Sequence, residues 1–518
     1  MKTDTTSANG TLRLSVLLFL LSAAVYLLIG RGMIGSIDAL MMLKTTESIV
    51  ERGAVDLNPE EYHGGWVSKA PDGRVYSIYG IGKPLLNVPA YVLGKSVSGF
   101  LPGGRKDAGI HFFVSQVNPL VSAGAVVALF LMCMALGFSE SESVFLSLLF
   151  GFASIALPYA KDDMSEPLAT FLVTAGLTAS IRLQQTSSTV SAVVAALALG
   201  GAVATRYLMA IVPFIVGLVL VASALRNQRP RITPLLWFFG ILGSIACLLA
   251  WFNYIRFGSV TETGYENTGG GASGFTFLSW EIPLRWIAFL ISPGRGLLVY
   301  MPFLVIAPLG FFTLWNQQRF ATVVLLACFA ANFILSAAYK FWDAPWGWGP
   351  RYLLTFLPLL FPFFGMGFRA LSNRRTLRTI ILGCCLLAFL INGIATIAPW
   401  ERYMTKVSLR EANGSQVDVN WSIVDCQIVN QPRVLWEVVT LPGSSRNQLS
   451  NGQKDPESAL KSSRSLNLLS IWPVRLVYEG IPLLPVLAAS GMLALMAAVS
   501  GVLIWMRLSS PSTGRTPR

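Results

Sequence analysis

The sequence predicts an all-α polytopic membrane protein with about twelve transmembrane helices. Apolar runs of about 20 residues, the length that crosses a bilayer, recur along the whole chain. Hydrophobic residues make up 53% of the chain and charged residues 13%, whereas soluble domains carry about 25% charged residues. The excess of 39 Lys and Arg over 26 Asp and Glu lies largely in short loops between the runs, where basic residues set orientation. Nucleic acid is therefore not an expected partner.

The first apolar run, from Leu14 to Ile34, has Lys2 and Arg13 before it and no small-x-small cleavage site after it. We therefore expect an uncleaved anchor rather than a removed signal peptide. The twelve expected spans are centred near Tyr26, Ala125, Leu149, Val173, Ala196, Ile215, Leu242, Val305, Leu325, Leu360, Leu387 and Leu493.

Charge in the connections predicts the orientation. The short connections with Arg182, Arg226, Arg229, Arg231, Arg319 and Arg369–Arg378 all fall on one side, which the positive-inside rule assigns to the cytoplasm. The opposite side receives the long loops Gly35–Ile110, Asn253–Gly296, Tyr339–Pro350 and Pro399–Glu479. We expect a bacterial inner (plasma) membrane protein whose site faces away from the cytoplasm.

Two outer loops contain apolar segments that are too short to span, Leu85–Leu101 and Phe275–Ile291, and these predict interfacial helices. The expected organisation is a transmembrane catalytic module over 1–398, an extracytoplasmic loop or small subdomain with some strand over 399–479, and a last helix with a cytoplasmic tail over 480–518. A Ser/Asn/Gln-rich stretch, 443–458, is expected to be mobile.

Carboxylates at two outer boundaries are candidates for chemistry. Asp38 lies near the outer end of the first span, where an ionised carboxylate is costly unless it is solvated or paired. It is either a general base that faces a cavity or a residue that marks the helix end. Asp162, Asp163 and Glu166 crowd the turn after the third span. They either bind an acceptor or a divalent cation such as Mg²⁺ or Mn²⁺. The alternative is that this turn caps the next helix, a role that suits Ser165 or Asp163.

Basic residues on the outer side are candidates for phosphate binding. Lys83 lies in a Gly-Lys-Pro turn beside the first interfacial segment, and binding of bulk lipid headgroups is its alternative role. Arg206 interrupts a run that is too long for one span, and Arg295 and Arg351 lie where loops re-enter the membrane. A planar guanidinium binds phosphate in a bidentate manner. The tryptophans of 341–352 are expected to form an aromatic belt.

Together these residues resemble the GT-C glycosyltransferases, membrane enzymes that take sugars from polyprenyl-phosphate carriers. That superfamily includes the protein O-mannosyltransferases of glycosyltransferase family 39 and the lipid A aminoarabinose transferase. The resemblance covers roughly the first 400 residues. It rests on Asp38 after span one, on Lys83-Pro84, on Asp162 and Asp163 after span three, and on the re-entry Gly349-Pro-Arg-Tyr-Leu.

The resemblance implies a membrane glycosyltransferase of the cell envelope. A polyprenyl-phosphate monosaccharide would be the donor, with its phosphate held by Lys83 and by Arg295 or Arg351. Asp38 would take the proton from an extracytoplasmic hydroxyl on a glycan, lipid or protein, and transfer would invert the anomeric centre. Asp162, Asp163 and Glu166 would orient either the acceptor or a divalent cation. An O-antigen polymerase or ligase, or a membrane transporter, is the alternative class.

Overall fold

The computed structural model describes residues 5–58, 65–99, 106–226, 229–266, 274–440, 468–478 and 480–509. The stretch 443–458, expected to be mobile, lies outside these residues. The helices are α1 (Thr5–Leu28), α2 (Ile37–Arg52), α3 (Gly82–Ser98), α4 (Lys106–Ser115), α5 (Val117–Ala135), α6 (Glu140–Phe152), α7 (Ala156–Tyr159), α8 (Glu166–Thr186), α9 (Thr189–Thr205), α10 (Ile211–Leu225), α11 (Ile232–Phe257), α12 (Glu281–Ile291), α13 (Leu297–Tyr300), α14 (Phe311–Gln317), α15 (Arg319–Ala338), α16 (Phe361–Ala370), α17 (Arg375–Ile397), α18 (Trp400–Ala412), α19 (Gln427–Thr440), α20 (Trp472–Tyr478) and α21 (Leu483–Ser509). The 3₁₀ segments Tyr207–Ala210, Pro302–Gly310 and Arg351–Leu360 lie between them.

The prediction of a helical polytopic membrane protein is confirmed. Within the described residues, eight helices are long and apolar enough to cross a membrane. They are Asn9–Leu28, Asp107–Ala135, Tyr207–Leu225, Ile232–Phe257, Arg319–Ala338, Arg351–Ala370, Arg375–Ile397 and Leu483–Ser509. Each of the twelve expected centres lies in a helix or 3₁₀ segment. Four of these segments, α6, α8, α9 and Pro302–Gly310, are shorter or more polar than the eight candidate spans. The count of twelve spans stays a prediction.

The core of the bundle forms where α5 and α8 pack together. Val126, Leu129, Val173 and Leu177 on these two helices are fully buried. The hydroxyl of Thr178 donates to the carbonyl of Ala128 across the interface at 3.2 Å. This packing fixes the start of α8, which carries one of the predicted site residues.

A three-stranded antiparallel sheet in the first long loop departs from the all-α expectation. Its strands are β1 (Asp56–Leu57), β2 (Val67–Lys69) and β3 (Val75–Ser77), and β3 lies in the centre. The β2–β3 hairpin turns through Pro71-Asp72-Gly73, with Gly73 at φ +88°, a conformation that glycine adopts without strain. The sheet leads directly into Tyr79, whose side chain reaches the site.

Two expectations for the later loops were wrong. The described part of 399–479 contains helices α18, α19 and α20 and no strand. Trp348 does not belong to an aromatic belt, because it is fully buried and its indole N–H donates to Asn392 Oδ1 at 3.1 Å. The expected interfacial segments do contain helices, α3 and α12, and each keeps apolar side chains such as Leu93 and Ile287 exposed.

Candidate active site

A cavity of about 770 Å³ lies at the end of the bundle where the four long loops meet. Each loop contributes to its lining: Asp38 from the first, Tyr265 from the second, Trp346 from the third and Glu401 from the last. Among the described residues that line it, four are arginines and four are carboxylates, while much of the remaining lining is apolar. The cavity therefore suits a ligand with a charged group and an apolar part.

Asp38 is held at the cavity wall by two donors. Ser36 caps α2 by accepting a hydrogen bond from the backbone N–H of Ala39 at 3.2 Å, which places Asp38 in the first helical turn. The Tyr79 hydroxyl donates to Asp38 Oδ1 at 2.6 Å, and the Arg351 guanidinium lies 2.7 Å from Oδ2. Each carboxylate oxygen keeps a further lone pair for a hydroxyl that enters the cavity.

Glu166 connects the guanidinium groups of Arg351 and Arg206. Its Oε1 atom lies 2.7 Å from Nε of Arg351 and 2.7 Å from a terminal nitrogen of Arg206. Glu166 itself is 1% exposed, whereas the Arg206 side chain is 23% exposed. Because an arginine has five N–H donors, both guanidinium groups retain donors beyond these contacts. Asp38, Arg351, Glu166 and Arg206 thus form one chain of alternating charges, hereafter the charge chain.

Glycines in the first loop bring Tyr79 and Arg206 to the same wall. A Cβ atom at Gly80 would lie 2.3 Å from the carbonyl oxygen of Ala204, and one at Gly82 would lie 2.5 Å from the Thr205 hydroxyl. The Gly-x-Gly turn therefore packs directly on the end of α9, immediately before Arg206. The sequence interpretation assigned this turn to phosphate binding, but its glycines serve this close backbone approach.

A second ion pair, Arg31–Glu401, lines another part of the cavity. The Arg31 guanidinium lies 5.6 Å from the centroid of the Trp400 ring and against the backbone of Gly35, where a Cβ would stand 1.5 Å from a guanidinium nitrogen. Sequence reasoning missed both members of the pair. The available signal was Arg31 itself, a basic residue at the predicted outer end of the first span, where positive-inside statistics do not explain it.

Three of the seven predicted site residues meet at the cavity, namely Asp38, Glu166 and Arg351. Lys83 does not line it. Lys83 is fully buried, its ammonium group donates to Asn118 Oδ1 at 2.7 Å, and burial lowers its pKa. Asn118 also donates to the carbonyl of Met164 at 2.8 Å, so Lys83 supports the turn that precedes α8.

Arg295 also lies outside the cavity lining. Its guanidinium donates to the backbone carbonyls of Gly347 at 2.8 Å, Gly349 at 3.2 Å and Pro345 at 3.2 Å. These contacts fix the loop that leads into Arg351. Phosphate binding by Lys83 or Arg295 stays a prediction from sequence that the geometry does not favour.

Asp162 and Asp163 lie behind the cavity wall, 1% and 2% exposed. None of their four carboxylate oxygens has a hydrogen-bond partner among the described residues. Burial raises the pKa of Asp162 to about 6 and raises the pKa of Asp163 as well. The alternative role, a side-chain cap for α8, is not observed at Ser165. The Ser165 hydroxyl instead accepts a hydrogen bond from the Arg206 guanidinium at 3.4 Å.

Comparisons with known proteins find no matching family model and no matching curated protein. Among solved structures, the Archaeoglobus fulgidus oligosaccharyltransferase in complex with Zn and sulfate matches at 13% identity and a TM-score of 0.49, over 78% of this chain and 56% of that chain. ArnT from Cupriavidus metallidurans matches at 14% identity and 0.45 in the apo state, over 89% and 78%. Bound to undecaprenyl phosphate, it matches at 13% and 0.44, over 99% and 82%.

This chain spans little more than half the length of the oligosaccharyltransferase. Because identities are below 15% and TM-scores below 0.5, the activity of this chain must be argued from its own residues.

The described residues do not supply a full ligand set for a metal ion. No group of three or more His, Cys, Asp or Glu side chains among them is arranged to hold one. Asp162 and Asp163 offer carboxylate oxygens, but Glu166 is bound by two arginines instead. The expected Mg²⁺ or Mn²⁺ therefore has no complete ligand set among the described residues, and binding of either ion stays a prediction.

Proposed function

We propose that this protein is a membrane glycosyltransferase that moves a monosaccharide from a polyprenyl-phosphate carrier to a hydroxyl acceptor, with inversion. One observation carries the proposal: a single cavity with a largely apolar lining contains both a solvent-accessible carboxylate and two partly exposed guanidinium groups. The Asp38, Arg351 and Arg206 side chains are 20%, 12% and 23% exposed. A base and phosphate-binding cations are the groups that this reaction requires.

In the proposed reaction, the acceptor oxygen attacks the anomeric carbon while Asp38 takes its proton. The bond from that carbon to the phosphate oxygen breaks, and the polyprenyl phosphate leaves with the electron pair. A general base must be positioned on the acceptor oxygen, and the contacts of Asp38 with Tyr79 and Arg351 provide this positioning.

Arg206 and Arg351 bind the phosphate in this proposal. The leaving phosphate gains negative charge in the transition state, and fixed guanidinium groups stabilise that charge best where water is excluded. Glu166 does not touch the substrate; it orients both arginines through Oε1. The apolar lining, which includes Leu208, Met209 and Phe275, receives the lipid portion next to the phosphate.

The test is donor binding and transfer by the purified protein in nanodiscs. Arg206→Gln is expected to weaken binding of undecaprenyl phosphate roughly 10- to 150-fold, since one charged hydrogen-bonding contact contributes about 1.5–3 kcal/mol. Arg182→Gln, an exposed arginine at the opposite end of the bundle, is the matched control and should bind normally. Equal binding by both variants would remove Arg206 from the phosphate site.

Asp38→Asn is expected to retain that lipid binding and to lose transfer. Near-normal transfer by this variant would favour a polymerase or ligase that relies on arginines alone. Transfer from a soluble nucleotide sugar, with none from the polyprenyl-phosphate sugar, would contradict the proposed donor.

A further inference from the structure

Helix α19 carries an apolar strip that the described residues of the protein leave uncovered. Val429, Trp436 and Val439 lie on one side of this helix at helical spacing and are 42%, 71% and 57% exposed. The loop just before the helix adds Ile423 and Val424 at 68% and 71%. We call these five residues the α19 strip. Large exposed apolar patches of this kind mark an interaction surface.

The opposite face of α19 is packed against the protein. Val434 and Val438 are buried in a small apolar cluster with Tyr403, Met404 and Val407 of α18. The α19 strip therefore does not face the core of the protein. It is a second apolar face, on a helix whose first apolar face already has a partner.

The position of the strip identifies its partner. The side-chain amide of Gln431 donates to the carbonyl of Ala398 at 2.9 Å, which ties α19 to the end of the spanning helix α17. Ile397, the last residue of α17, is 39% exposed and continues the exposed apolar face of that helix, which includes Leu386 and Leu390. Surfaces of this kind on spanning helices contact lipid.

A second contact ties the loop before α19 to another apolar helix. The backbone N–H of Gly294 donates to the carbonyl of Asn420 at 3.1 Å. Gly294 follows α12 closely, and the exposed side chains of α12 include Ile287 and Ile291. The segment that carries the α19 strip is thus tied to the ends of two helices that present exposed apolar faces.

We propose that the α19 strip is seated in the bilayer interface, with membrane lipid as its partner. Its composition agrees, because Trp436 is an amphipathic residue suited to the headgroup level and Arg433, exposed on the same helix, suits anionic headgroups. This seating also concerns the cavity. Helix α18, which packs on α19, carries Glu401 and Thr405 in the cavity lining. Contact of α19 with the membrane therefore fixes the position of this part of the cavity relative to the bilayer.

Photocrosslinking in the full chain tests this proposal. Trp436→p-benzoylphenylalanine is compared with Gln416→p-benzoylphenylalanine, a polar exposed position in the same segment. Neither position is buried, so neither substitution disturbs the core. Both proteins are reconstituted in phosphatidylethanolamine–phosphatidylglycerol vesicles that contain radiolabelled phospholipid, and are then irradiated.

We expect several-fold more labelled lipid on the chain substituted at position 436 than on the chain substituted at 416. Three results would overturn the proposal: equal lipid labelling at both positions, no adduct at 436, or an adduct at 436 with a second protein chain. The last result would make the strip a protein-docking surface. Failure of the glycosyltransferase proposal would leave this outcome unaffected, since no step of the reaction enters the measurement.

Discussion

Arg351 binds two carboxylates at once, and this double contact organises the candidate site. Its NH2 group lies 2.7 Å from Asp38 and its Nε atom 2.7 Å from Glu166. A guanidinium group allows this because its N–H donors point in fixed, different directions, whereas a lysine is a compact point charge. The proposed base and the proposed phosphate-binding cations are consequently positioned by one another.

Glu166→Gln is expected to destabilise the protein strongly. The substitution keeps the side-chain volume but removes the negative charge between two guanidinium groups at a site that is 1% exposed. Breaking a buried ion pair in this way costs about 3–5 kcal/mol. The matched control is Glu47→Gln, which breaks the pair with Lys44 where the glutamate side chain is 40% exposed, at a cost of about 0–1 kcal/mol. Thermal unfolding in detergent measures both, and equal losses would contradict the structural role of Glu166.

Sequence reasoning predicted part of this residue-level picture. Asp38, Glu166 and Arg351 stand out because a charge at a membrane boundary is costly unless it is used. Their pairing could not be predicted, since Asp38 and Arg351 are 313 residues apart in the chain. Lys83 shows the limit of such reasoning: a lysine in a Gly-Pro turn has the same local sequence whether it faces lipid headgroups or, as here, bonds to a buried Asn118.

For the secondary-structure elements, the length of each helix or strand determined whether the sequence could predict it. The spanning helices have long apolar runs, and each expected centre lies within a helical segment. Strands β1, β2 and β3 contain only two or three residues, too few to show the alternation that identifies a strand. The one usable signal was the Pro71-Asp72-Gly73 turn between two short runs that each contain one valine.

Close helix crossings that depend on glycine provide the element-scale prediction. A Cβ at Gly310, where segment Pro302–Gly310 crosses α16, would lie 2.0 Å from the carbonyl oxygen of Phe363. That atom belongs to the backbone and cannot move aside like a side chain. Gly310→Ala should therefore lower stability by at least about 1–3 kcal/mol, the usual cost of overpacking, as measured by thermal unfolding.

Gly243→Ala is the control for that experiment. Gly243 lies within α11, and a Cβ there would meet nothing within 4 Å, so the alanine should be neutral or slightly stabilising because of its better helix propensity. If Gly310→Ala proved as stable as Gly243→Ala, the two segments would not cross as closely as described.

For the whole molecule, the two ends of the bundle differ in what they contain. One end holds the cavity, to which all four long loops contribute. The other end holds the short arginine-rich connections, with Arg369 paired to Glu142 and Arg507 to Glu140. The charge pattern of the linear sequence predicted this separation because basic residues are concentrated in the short connections. The cavity itself could not be predicted, since it depends on how the loops pack together.

The orientation of the bundle in the membrane follows from the same separation and can be tested at three matched turns. Gly73, Gly414 and Gly137 have φ values of +88°, +83° and +86°, and a Cβ at each would meet nothing within 4 Å. Each turn should therefore accept an inserted reporter domain. Alkaline phosphatase, which is active only outside the cytoplasm, should be active after Gly73 and Gly414 and inactive after Gly137. The reverse pattern would invert the protein and move the cavity to the cytoplasmic side. Opposite results at Gly73 and Gly414 would contradict the bundle itself, because the first and last long loops line the same cavity.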